Sequence, residues 1–137
     1  MQYGASIATN ISPQRTNGAS IQIGVTTFQR AAQQCRTLVA SGYSQGAAVL
    51  HNVIGKRLSA GIKNRIAGVV LFGDTRRVQD GGKIPNFPRD RVKIICNPTD
   101  GVCGGTLLVT GGHMTYTLRV NEGATFLAQK IRQHKGK

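Results

Sequence analysis

The chain has 137 residues, enough for one domain with its own core and too few for two. Eighteen Lys and Arg against five acids give a formal charge of +13. No apolar run reaches membrane-span length, and Met1-Gln2-Tyr3-Gly4 opens no basic-then-apolar leader. The basic residues are scattered from Arg30 to Lys137, with no dense block and few aromatics among them. That distribution reads as a solvated basic surface, so no nucleic-acid partner is expected.

Residues 1–19 are polar and rich in Gly, Ser and Asn, and read as loop or extended chain. Ile21, Val25, Phe28 and Ala32 recur at helical spacing and predict an amphipathic helix over 18–34. A short strand is expected over Thr37 to Ser41, then a helix over 45–58, which Ala60-Gly61 ends or turns. The continuous apolar run Ile66-Ala67-Gly68-Val69-Val70-Leu71-Phe72 predicts a buried strand stopped by Gly73-Asp74. Residues 75–90 read as loop, Arg91 to Cys96 as strand, 97–115 as Gly-rich loop, and Gly123 to Gln133 as a closing helix. Strands alternating with helices imply an α/β fold, a parallel sheet covered on both faces. Three visible strands are few for such a sheet.

Gly42-Tyr43-Ser44-Gln45-Gly46 is a G-x-S-x-G pentapeptide between an expected strand and an expected helix. That context makes it a nucleophile elbow, a sharp turn that presents the serine Oγ. A serine hydroxyl needs a histidine base, and the base needs an acid to fix its tautomer. Three histidines are available. His51 lies on the same helix as the elbow and points down it, and His134 sits in the basic tail. His113, in a Gly-rich loop, is the well-placed base. Asp74 and Asp100 both follow strands and are both candidates for the acid; Asp100 is closer in sequence to His113. Cys96 and Cys103 bracket the Asp100 loop and could form a bridge or half of a metal site. Zinc needs about four ligands and His113 is the one close addition, which favours the bridge. Cys35 is left over.

These residues resemble the cutinase family of small secreted serine esterases with an α/β-hydrolase-like fold. The resemblance runs through Gly42 to Ala48, Ile66 to Gly73 and Gly82 to Pro88, and is most specific at Cys96, Asp100, Cys103 and His113. It implies Ser44 as nucleophile, Asp100 as acid, His113 as base and Cys96–Cys103 as a disulfide. It implies the Gln45 backbone N–H as an oxyanion donor, and Tyr43, Leu107, Val109 and Met114 as substrate-binding residues. It further implies hydrolysis of cutin-like polyester and short or medium acyl esters, no metal or organic cofactor, a secreted monomer, and a three-layer sheet fold. Polysaccharide deacetylation of the acetylxylan esterase type is the nearest enzymatic alternative. An inactive remnant binding surfaces through its positive charge is the non-enzymatic one. Family members carry a further N-terminal stretch with sheet strands, a second oxyanion donor and a partner for Cys35. The resemblance therefore implies that this chain is a truncated member.

Overall fold

A computed structural model describes residues 16–105 and 110–135. Helix α1 spans Gly18–Gln34, strand β1 Leu38–Tyr43, helix α2 Gln45–Asn52, a short helix α3 Ala60–Asn64, strand β2 Ile66–Phe72, strand β3 Val92–Ile95 and helix α4 Val120–Lys135. The three described strands form one parallel sheet in the order β1-β2-β3.

The apolar spacing that predicts α1 is the face it buries: Ile21, Val25 and Phe28 all enter the core. Its start is fixed by Asn17, whose side chain accepts the Ser20 N–H at 2.7 Å. An Asx cap of this kind satisfies one of the otherwise unpaired N–H groups of the first turn. Strand β2 is central and paired on both edges, so its sequence is apolar throughout rather than alternating. Val69 and Leu71 face α1 and α2, packing with Val49, Leu50, Val53 and Ile54. Val70 faces the other way, with Ile95 and Tyr116, against Phe126 and Leu127 of α4. Fully burying each such side chain stabilises by about 1.5–3 kcal/mol. These two cores on opposite faces of β2 are the two helical layers that the strand–helix alternation predicts.

Several boundaries differ from the sequence expectation. Strand β1 runs on to Tyr43, two residues past Ser41, because pairing with β2 continues through Gly42↔Leu71 and Tyr43↔Phe72. The helix expected over 45–58 is α-helical only to Asn52; Val53–Arg57 widens into a π-type turn closed by Leu58 N–H on the Val53 carbonyl. Helix α4 begins at Val120, three residues before Gly123, continuing the 3-10 turn Tyr116–Arg119. In the long loops, further 3-10 turns span Arg89–Arg91, Gly101–Gly104 and Gly111–Met114.

Candidate active site

The parallel pairing of β1 and β2 ends at the elbow. Ser44 N–H donates to the Phe72 carbonyl at 2.9 Å, and the chain then turns straight into α2. Ser44 takes φ +57° and ψ −119°, a backbone region that a side chain strains to enter. Gly42 makes the turn possible. A Cβ there would lie 2.8 Å from the backbone of Gly46 and Ala47, so strand and helix can meet this closely only over glycine. Gln45 opens α2 directly after Ser44, which sets its backbone N–H at the positive end of the helix.

The two other expected groups arrive from the loops after β3. His113 Nε2 is 3.0 Å from Ser44 Oγ. His113 Nδ1 is 2.9 Å from Asp100 Oδ2. With Nδ1–H donating to the carboxylate, Nε2 holds the lone pair and accepts from the serine hydroxyl. Asp100 and His113 are buried while Ser44 is half-buried, so the chain of hydrogen bonds runs from the interior outward. Burial excludes water from the acid–base pair and strengthens its electrostatics.

Each group is held in turn. Asp100 Oδ1 accepts the Val102 N–H at 3.0 Å, and Cys96 and Cys103 are disulfide-bonded across this loop. Asn97 Nδ2 donates to the Gly112 carbonyl at 2.7 Å, tying the histidine loop to the end of β3. Tyr43 stacks on the His113 ring at 5.1 Å between centroids, and its hydroxyl donates to the His113 carbonyl at 2.7 Å. Gly73, at φ +57°, backs the same ring; a Cβ there would lie 3.0 Å from His113 Nδ1. Tyr43, expected to touch substrate, is thus first a support for the histidine. It also lines an apolar cavity of about 300 Å³ with Phe72, Met114, Tyr116, Thr117 and Val120. Met114 is exposed at its rim, while Leu107 and Val109 lie outside the described residues.

Asp74 is not brought to His113. It meets His51, the histidine that points down α2 away from the elbow. His51 Nε2 bonds Asp74 Oδ2, and His51 Nδ1 lies 2.7 Å from Asp80 Oδ2. Arg76 closes the group, its guanidinium donating to both Asp80 oxygens at 2.8 and 3.0 Å. Burial opposes the charge on His51, but the hydrogen bonds and charges of the two carboxylates outweigh it and hold its pKa above the ordinary value. For Asp80, burial works against ionisation, yet the bonds from His51 and Arg76 push its pKa far below the usual carboxylate range. Three of the five acids, Asp74, Asp80 and Asp100, are thereby committed to histidines. Sequence reasoning missed this second cluster and the bracing residues Asn97 and Tyr116. The visible signal was Arg76 four residues before Asp80 in a chain with few acids to place.

The cluster predicts a pH window for stability. The raised pKa of His51 contributes stability fully below its ordinary value of 6.5, and that contribution is lost as pH rises through the folded value. The lowered pKa of Asp80 contributes above its ordinary 3.8 and is lost as pH falls. The melting-temperature advantage of the wild type over His51→Gln should therefore be largest between about pH 4 and pH 6.5 and shrink on either side. Thermal melts of both proteins across pH measure it; an advantage independent of pH would contradict the charge assignment.

A parallel sheet, a strained serine elbow and a Ser44–His113–Asp100 hydrogen-bond chain are features of an α/β-hydrolase-like fold. Its family follows from comparison: the Cutinase family model matches residues 1–131, and the chain belongs to the cutinase family. It is 48% identical over 131 residues to probable cutinase 5 of Aspergillus terreus, covering 94% of this chain and 59% of that protein. It is 46% identical over 132 residues to probable cutinase 1 of Aspergillus niger, covering 95% of this chain and 50% of that protein. A solved structure of Trichoderma reesei cutinase in complex with a C11Y4 phosphonate inhibitor superposes with a TM-score of 0.79 at 29% identity. That match covers 95% of this chain and 57% of the solved chain. The chain thus spans between half and three-fifths of the length of these relatives.

Proposed function

We propose that this chain is a serine esterase domain acting on carboxylic esters through an acyl-enzyme. Ser44 attacks the ester carbonyl while His113 Nε2 takes its proton, and Asp100 stabilises the imidazolium that forms. The Gln45 N–H, beside Ser44 at the helix end, donates to the oxyanion. His113 then returns the proton to the leaving alcohol and activates water to release the acid. The observation that carries this reading is the pair of contacts on one buried imidazole, 3.0 Å to Ser44 and 2.9 Å to Asp100.

The apolar cavity beside Tyr43 and Met114 supports a substrate with an acyl chain, of the cutin-polyester or short-to-medium ester kind. Secretion and action as a monomer complete the proposal. The bridge across the Asp100 loop favours an oxidising compartment. Release rates on p-nitrophenyl acetate, p-nitrophenyl butyrate and acetylated xylan test the substrate class. Butyrate should be hydrolysed at least as fast as acetate. Deacetylation of xylan without butyrate hydrolysis would replace the assignment by a polysaccharide deacetylase. A protein that retains its fold and hydrolyses none of the three would contradict it.

A further inference from the structure

We propose that Tyr116 is a positioning residue for the acid of the site: its hydroxyl fixes which Asp100 oxygen faces His113. The inference rests on the esterase reading for its catalytic consequence, but not for its geometry. Asp100 Oδ2 receives two donors, His113 Nδ1 at 2.9 Å and the Tyr116 hydroxyl at 2.5 Å, while Oδ1 takes the Val102 N–H. The carboxylate is thus gripped at both oxygens. The phenol is itself anchored, because its oxygen accepts the Asn97 N–H at 3.1 Å. The hydroxyl therefore bridges the end of β3, through Asn97, to the acid three residues further on.

The ring is placed independently of the hydroxyl. It packs edge-on against Phe72 at 5.9 Å, Tyr43 at 6.0 Å and His113 at 6.3 Å between centroids. Packing alone would be served equally well by phenylalanine. The hydroxyl is what a phenylalanine lacks, and the acid and its anchor are what it touches. Burial holds the phenol pKa above its ordinary value, and the bond to Asp100 raises it further; the Asn97 N–H and the charge of Arg119 offset only part of that. The group therefore remains a protonated donor throughout the neutral pH range. The charged and titratable groups facing it are Asp100, His113, Arg119 and Tyr43.

Tyr116→Phe keeps the ring and removes the bond. The freed carboxylate oxygen loses a competing donor, so it favours the charged imidazole more strongly while holding it less accurately. On a butyrate ester, kcat should fall roughly tenfold with KM within about twofold, and the acidic limb of kcat/KM should move to higher pH by roughly half a unit. Histidine NMR reads the same displacement in the titration of His113 and needs no turnover. An inactive wild type would count against the esterase reading alone, since the NMR comparison still decides the role of Tyr116. A His113 titration unchanged by Tyr116→Phe would overturn the inference. A second comparison does not depend on that variant: in Asp100→Asn, the phenol of Tyr116 should ionise at lower pH than in the wild type, followed by NMR of the tyrosine ring carbon that bears the hydroxyl. An unchanged midpoint would show that the contact does not exist in solution.

Discussion

Asp100→Asn is expected to lower kcat for ester hydrolysis by about 10⁴-fold with little change in fold. The amide matches the carboxylate in shape, but it can present its NH₂ to His113. The histidine then holds its proton on Nε2, the nitrogen that must accept from Ser44. The lost charge also removes the partner of the imidazolium formed during attack. Asp74→Asn is the informative contrast. Both aspartates are buried beyond the end of a strand and both bond a histidine, so burial and local sequence do not separate them. Only Asp100 reaches the histidine that touches Ser44. Asp74→Asn should therefore lower the melting temperature while the rate per folded molecule changes by less than roughly tenfold. Steady-state rates on a butyrate ester, normalised to folded protein, measure both. A larger loss in Asp74→Asn than in Asp100→Asn would reverse the assignment of the acid.

The second large effect is on stability. His51→Ala should cost about 3–5 kcal/mol, because it leaves Asp74 and Asp80 buried with Arg76 as the remaining cation of the cluster. In a domain of this size that corresponds to a fall of roughly 10 °C or more in Tm. Replacing His51, Asp74 and Asp80 together by apolar residues of similar volume should cost much less than the sum of the single changes, since no unpaired charge would then remain. Urea unfolding of the single and triple variants tests this. A loss below about 1 kcal/mol for His51→Ala would mean that the charges of this cluster are hydrated in solution. The cluster joins α2, which follows Ser44, to the loop that leaves Gly73 behind the His113 ring. Its loss should therefore loosen two supports of the site at once.

The fold was readable wherever apolar pattern and burial coincide. The spacing of Ile21, Val25 and Phe28 and the unbroken run from Ile66 to Phe72 each record a surface that the finished structure covers. The elbow was equally legible, because G-x-S-x-G between a strand and a helix is a local geometric demand that Gly42 satisfies. Elimination among three histidines singles out His113, whereas Asp74 and Asp100 both stand as candidate acids until the resemblance points to Asp100. The bracing around them was not legible. Tyr116 reaches Asp100 across sixteen positions, and Asn97 reaches Gly112 across fifteen. No local period marks a hydrogen bond between two loops. In the sequence His51 reads as turned away from the elbow and Asp74 as a candidate acid for it, whereas the structure pairs the two with each other. Their distance in sequence, 23 residues, is spanned by the parallel crossover from β1 to β2, which brings the end of α2 beside the end of β2. Pairings set by topology become visible only once the topology is known.

The esterase proposal turns on activation of Ser44 by the His113–Asp100 pair. Mass spectrometry after reaction with an alkyl phosphonate ester tests it most directly, because the reagent phosphonylates an activated serine without requiring full turnover. A single adduct is expected on the peptide containing Ser44. The adduct should be absent from Ser44→Ala, strongly slowed in Asp100→Asn, and lost when the protein is unfolded in urea. Ser44 left unmodified in the folded protein, or labelled equally well with Asp100 replaced, would contradict it.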